Sequence, residues 1–329
     1  MINKFTKSTH PGNFPVRVLR HNITNHFEEV ANSKSSGLIY EAVRDKKVQA
    51  GIEVKIEKRP LKTPYADCNN YKICLQENFI GFIWAMCYSL FVIYEEGVQK
   101  RIITGQFDGF INFNTDLLKR AKQLFDWAIS LKVQYSDWDL TLPNPESHKN
   151  EMEKWYAGKA NGIFQDLIIY DLFHEFAHLV NNHCDVLSDI LGKKTHELTE
   201  EQITRCIEIE SEADNYAFES IVEELDSEKY KLHKGMAIIL SHCTSLFVIM
   251  NPKSVKQLTH PDIDNRILNS ITRLGLTDVY SSDYLWYLGA LCCKLFFNLH
   301  KIDADITPSG TTKDLFFRYL EVFDKIKKE

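Results

Sequence analysis

The run His174-Glu175-Phe176-Ala177-His178 constrains this chain more than any other feature, because two imidazoles one helical turn apart with a glutamate between them suit few tasks. On a helix, residues four apart share a face, so both rings can reach one metal ion. Glu175 then stands beside a water that the ion acidifies toward a pKa of ~7, where a carboxylate can take its proton during attack on a peptide carbonyl. Two core or surface histidines flanking a solvated glutamate give the same spacing by accident, so context decides. Ile163 to Asn182 reads as a helix, opened by Asn161-Gly162 and closed by Asn181-Asn182, with Phe164, Leu167, Ile168 and Ala177 as apolar positions.

A catalytic zinc takes three protein ligands and keeps a position open, so a third must come from elsewhere. His183 lies five residues after His178, about 140 degrees round a helix from it, and is assigned to a helix end rather than to the metal. Thr199 to Leu225 reads as a second helix, with Thr199 and Gln202 as a capping box. Ile203, Ile207, Ala217 and Ile221 form its apolar stripe, and the two positions that complete the series are Glu210 and Asp214. An inward carboxylate needs a partner. A metal on His174 and His178 satisfies Glu210, and Asp214 can accept the free N–H of a ligating imidazole. A buried arginine, Arg205 or Arg266, is the competing explanation. Glu208 and Glu212 fall on the opposite side with Tyr216 and read as a solvated face.

Thr259-His260-Pro261 precedes a third helical stretch containing Arg266. Two uses suggest themselves: His260 as a donor to the oxyanion of a tetrahedral intermediate, and Arg266 as partner to Asp214, Glu210 or a substrate carboxylate. A packed histidine and a surface arginine explain the same segment equally well.

Together, His174-Glu175-Phe176-Ala177-His178, Glu210-Ser211-Glu212-Ala213-Asp214 and Thr259-His260-Pro261 with Arg266-Ile267 resemble the gluzincin metallopeptidases, and within them the Lit phage-exclusion proteases. The resemblance takes in Ile83-Trp84-Ala85, Trp127-Ala128, Trp138, Pro143 and Pro145, covers roughly residues 75–300, and does not reach residues 1–60. It implies a zincin-like fold, one zinc ion on His174, His178 and Glu210, and Glu175 as the base. It further implies a dormant protease that cleaves elongation factor Tu once a phage capsid peptide has docked on it. A gluzincin acting on a repressor or in membrane quality control shares these ligands. A non-catalytic sensor of a phage or host protein is the reading from another class, although all four reaction residues are present.

The rest of the sequence sets the scaffold. Alternation in Ile52-Glu53-Val54-Lys55-Ile56 and Tyr71-Lys72-Ile73-Cys74-Leu75 predicts a small sheet, and Ile102 to Asn114 adds a β-like run that is a candidate edge for an extended peptide. Leu117 to Leu131 is helical in spacing. Trp138 to Gly162 is polar and rich in Pro and Gly, a connection between an α+β lobe, residues 1–150, and a mainly helical lobe, residues 151–329, that form one catalytic unit. The fold class is therefore α+β, with a small mixed sheet and helices in the first half and helices in the second. Phe79 to Tyr94 is apolar for 16 residues, short of the roughly 20 a bilayer needs and flanked by Glu77, Glu95 and Glu96, which predicts a buried helix; Gly235 to Met250 reads likewise. A net charge of −6 offers no field for nucleic acid. The first 22 residues lack the apolar core of a signal peptide, and the eight cysteines show no Cys-x-x-Cys pair or disulfide-like spacing, so a reducing cytoplasm is expected.

Overall fold

Strand-forming residues concentrate between residues 52 and 76, and there the chain builds its sheet. The structure is a computed structural model that describes residues 14–30, 33–190, 192–222, 227–304 and 310–328. Strands β1 (Ile52–Lys55), β2 (Tyr65–Asp67) and β3 (Lys72–Gln76) lie in the order β1-β3-β2. β1 runs parallel to β3, with Ile52 opposite Ile73, and β2 runs antiparallel to it, with Ala66 opposite Ile73. β2 was not expected; three residues are too few to show alternation. β1 and β2 are therefore the edges.

The remaining chain is helical: α1 (Arg20–Asn25), α2 (Ser33–Arg44), α3 (Glu77–Tyr94), α4 (Lys100–Ile103), α5 (Asp116–Ser130), α6 (Glu151–Val180), α7 (His183–Val186), α8 (Glu200–Val222), α9 (Glu228–Val248), α10 (Ile263–Leu274), α11 (Val279–Leu299) and α12 (Thr312–Lys328). The fold is α+β with a mainly helical second half, as its periodicities predict. Residues 223–225, given to the second motif helix, lie outside the described residues, as do residues 1–13.

β3 runs directly into α3, whose residues are all buried. The continuous helical run Glu77–Ile103 is, among the described residues, the one long and apolar enough to cross a membrane, and its most apolar window is wholly buried inside the protein. Its first residue, Glu77, takes a buried two-pronged ion pair from Arg17 (Nε to Oε1 2.6 Å, Nη2 to Oε2 2.7 Å). α3 packs on α5 and α6, and Trp84 and Trp127 both meet Trp138 in tilted ring contacts, with centroid separations of 5.6 Å and 4.4 Å respectively.

Two boundaries differ from the pattern reading. Ile102 to Asn114 forms no strand: α4 takes its start, and the chain then turns through Gly105 and Gly109, both at positive φ. Asp108 and Asn112 accept from the backbone N–H of Phe110 and Asn114, and Arg101 bonds the carbonyls of Gln106 and Phe110. Local side-chain bonds thus meet backbone needs that a ladder would otherwise fill. The edge-strand role proposed for this run goes with it.

The other boundary is the start of α6. The polar connection ends at Asn150, whose side chain accepts from Glu153 N–H, and not at Gly162. Gly158 and Gly162 sit inside a 30-residue helix. Each glycine costs about 1 kcal/mol relative to alanine there, which the burial of Tyr156, Ala157, Ala160, Ile163 and Phe164 outweighs. α6 is the central rod: α3, α8 and α9 pack along it, and β2 and β3 lie beside it.

The cysteine expectation is also corrected. Cys68, just after β2, is disulfide-bonded to Cys184 in α7, across 116 residues of sequence. Spacing rules look for short-range pattern, and only the docking of the sheet against α6 brings these two together.

Candidate active site

The helix that carries the first motif is buried over most of its length, so its polar residues near the C-terminal end are conspicuous. His174 and His178 lie one turn apart on α6 with Nε2 atoms 3.2 Å from each other. α8 crosses this face and brings Glu210, whose Oε2 is 3.1 Å from His174 Nε2 and 3.6 Å from His178 Nε2. Among the described residues, these three are the one group of potential ligands whose donor atoms all fall within 4.8 Å of one another. α8 starts where its capping box predicts: Thr199 N–H donates to Gln202 Oε1 and Gln202 N–H to Thr199 Oγ1, both at 3.2 Å.

Asp214, one turn after Glu210, places Oδ1 2.9 Å from His174 Nδ1. Arg266 of α10 clamps the same carboxylate, with Nε to Oδ2 at 2.7 Å and Nη2 to Oδ1 at 2.5 Å. The choice left open between a metal-site role and a buried arginine thus resolves by residue: Glu210 faces the histidines, and Asp214 joins a histidine to the arginine. Arg205 is elsewhere, paired with Asp189 on the surface.

Burial works against every charge in this cluster, and the partners decide the outcome. Burial opposes ionised Asp214, but the Arg266 guanidinium and His174 hold its carboxyl well below the usual range. Glu210 is likewise depressed by hydrogen bonds from His174 and His178 in spite of burial. Burial opposes the imidazolium of His174 too, yet Asp214 and Glu210 on its two nitrogens raise it to about 10. Each nitrogen of His174 thus faces a carboxylate, Nδ1 toward Asp214 and Nε2 toward Glu210, the latter where three donor atoms converge.

Glu175 lines the cleft together with His174. Its Oε2 accepts the backbone N–H of Ala66, on β2, at 2.7 Å, which leaves the second oxygen free. Burial raises its pKa, partly offset by the neighbouring histidines. Thr63, Pro64, His174, Glu175 and His260 line both of two adjoining hollows, one of about 290 Å³ toward α9 and one of about 320 Å³ toward α7. The floor of the first holds Asp171, which accepts from Ser241 at 2.6 Å and whose carboxyl burial pushes up to about 7. His260 stands at the rim, its Nε2 3.3 Å from Glu210 Oε2 and its Nδ1 3.1 Å from Thr259 Oγ1.

Two neighbours, Tyr170 and His242, were missed. Tyr170, one turn before His174, sets its hydroxyl 3.4 Å from Asp214 Oδ1 and 3.2 Å from His242 Nε2. Burial, with the Arg266 charge, lowers His242 to about 3, so it is neutral. Glu212, assigned to a solvated face, is exposed but accepts from Asn181 at 3.0 Å. His183 is a helix end, as expected, and is not in the three-donor group; it is nevertheless buried against His178, with the two Nδ1 atoms 3.1 Å apart. A sequence signal existed only for Tyr170, which shares the i, i+4 face with His174.

Comparison with known proteins adds one match. Residues 73–289 fit the family model described as peptidase U49. No curated protein and no solved structure matches the chain.

Proposed function

The chain belongs to the peptidase U49 family, and from that premise we propose that it is a zinc-dependent endopeptidase of the gluzincin type. The observation that carries this is the convergence of His174 Nε2, His178 Nε2 and a Glu210 oxygen. With Nδ1–H of His174 given to Asp214, a neutral ring turns its Nε2 lone pair toward another imidazole and a carboxylate. Three lone pairs facing one another repel unless a proton or a cation lies among them, and two imidazoles with one carboxylate are a donor set suited to zinc. Zinc held there supplies Lewis acidity, polarising a peptide carbonyl and acidifying water.

The chain's own groups do the rest. Glu175 is the general base: Ala66 N–H holds one carboxylate oxygen, the other faces the cleft, and a pKa raised by burial makes it a better proton acceptor than an ordinary glutamate. Asp214 fixes the tautomer and tilt of His174, and Arg266 fixes Asp214. Arg266 is thereby committed to Asp214, which argues against a substrate carboxylate as its partner. His260, at the rim over Glu210, is the group placed to donate to an oxyanion.

The substrate we propose is a protein of the cytoplasm, elongation factor Tu, cut in a phage-exclusion response after a phage capsid peptide docks on it. The likeness of the three motifs to the Lit proteases supports this reading. The test is expression of wild type and Glu175→Gln in a bacterial host, with and without phage, with new protein termini mapped and zinc measured in the purified protein. About one zinc per chain, and new termini in elongation factor Tu only with wild type, are expected. Absence of zinc overturns the metal; cleavage by Glu175→Gln overturns the base; termini in a different protein overturn the substrate.

A further inference from the structure

We propose that His183 is a positioning residue that makes His178 competent to bind metal, acting through the nitrogen that faces away from the ion. The inference rests on the reading of His178 as a ligand and deepens it.

The geometry leaves one consistent set of protons. A neutral imidazole carries one N–H, so His178 can offer Nε2 to a metal only if its hydrogen is on Nδ1. That Nδ1 has His183 Nδ1 as its neighbour at 3.1 Å. For the contact to be a hydrogen bond, His183 must accept there, which moves its own hydrogen to Nε2. His183 Nε2 is buried and without a hydrogen-bond partner, but a Glu212 carboxylate oxygen lies 3.5 Å away, favouring a hydrogen on that side. The opposite arrangement, with His183 donating, puts the hydrogen of His178 on Nε2 and closes it to the metal. The direction of one hydrogen bond therefore decides whether His178 is a ligand.

The fold holds His183 for this purpose. α6 stops at Val180, and Asn182 takes a left-handed turn (φ 58°), a conformation asparagine tolerates better than most residues. The turn reverses His183 back onto His178, and the residue is 3% exposed. The next residue, Cys184, is bonded to Cys68, which fastens the turn to the end of β2. Asn181 donates to Glu212 and steadies the far end of the chain of contacts. The two metal-facing histidines then have different supports, a carboxylate for His174 and an imidazole for His178.

The experiment is a chelator competition for zinc with wild type, His183→Ala and His183→Asn, combined with nitrogen–proton correlation spectra of zinc-loaded wild type carrying labelled histidine. Loss of an outer partner of this kind costs 10- to 100-fold in metal affinity. His183→Ala is expected to fall in that range, and His183→Asn, whose Oδ1 can accept from His178 Nδ1, to recover most of the loss. The spectra are expected to show His183 with its hydrogen on Nε2. Alanine within two-fold of wild type, asparagine no better than alanine, or a hydrogen on His183 Nδ1 overturns the proposal. The spectra decide it even where a variant does not fold. Wild type that binds no zinc instead overturns the metal site itself, a result distinct from all three.

Discussion

Removing Arg266 isolates the most consequential electrostatic arrangement in the molecule. Arg266 and Asp214 side chains are each 16% exposed and share two short charge-assisted bonds. Truncation to methionine keeps the apolar stem and leaves Asp214 charged and buried. Breaking such a pair from one side costs about 3–5 kcal/mol, whereas replacing both partners by apolar groups is often close to neutral. Asp214 retains a good contact with His174 Nδ1 at 2.9 Å and a longer one with Tyr170 at 3.4 Å, which places Arg266→Met near the lower end, about 3 kcal/mol, or roughly a 150-fold shift in the folding equilibrium. The double variant Arg266→Met with Asp214→Leu is expected to lose less than the sum of the two single changes, by at least about 2 kcal/mol. Urea unfolding of the metal-free protein at pH 7 and fixed salt measures all four corners of the cycle. Zinc titration of Arg266→Met is expected to show about 10-fold weaker binding, because His174 loses its fixed acceptor. A loss under about 1 kcal/mol for Arg266→Met, or two single effects that add within about 0.5 kcal/mol, would refute the claim that this pair holds the site together.

Cys68→Ser removes a crosslink that closes a loop of 116 residues in sequence separation; the chain-entropy relation puts the loss at about 5 kcal/mol, read as a lower melting temperature than the oxidised wild type, and no change in melting would contradict it. Asp171 has a folded-state pKa of about 7 against an ordinary 3.8, so from about pH 4 to 7 the unfolded chain is ionised while the folded one keeps the proton. The contribution of Asp171 to stability should therefore fall as pH rises through that window, by at most about 4 kcal/mol and less because the group faces a cleft, and be level above it. The stability of Asp171→Asn relative to wild type, from urea midpoints at stepped pH, should rise across that window; a difference that stays constant with pH counts against the shift. At Gly235 an added Cβ would meet Leu274 Cδ1 at 2.5 Å and Leu285 Cδ1 at 3.3 Å, so Gly235→Ala is expected to overpack the contact of α9 with α10 and α11 and cost about 1–3 kcal/mol, measured by urea unfolding.

Periodic features of the sequence found their elements because local chemistry and packing agree there. β1, β3, α5, the burial of α3 and α9, and the capping box of α8 are of this kind. Helical spacing placed His174 and His178 on one face of α6, with Glu175 beside it, and the stripe of α8 turned Glu210 and Asp214 toward that face. Patterns failed where backbone needs were met by unusual means. Residues 102–114 are β-like in composition but are held by aspartate, asparagine and arginine side chains bonding their own loop. The start of α6 was hidden because glycine and polar residues argue against helix locally, and only burial against α3 overrides them.

By itself, then, the sequence picked out the residues that meet in the candidate site and the helices that present them, since spacing along a helix is a local property set by 3.6 residues per turn. Tertiary structure alone decided what each group meets on its other side. Arg266 reaches Asp214 across 52 residues, Ala66 reaches Glu175 across 109, and Cys68 reaches Cys184 across 116. His183 is close to His178 in sequence, yet its ring meets that of His178 only after a left-handed turn at Asn182. Such contacts leave no periodic trace, because their distances are set by how α6, α8, α10 and the sheet pack and not by position along any one of them.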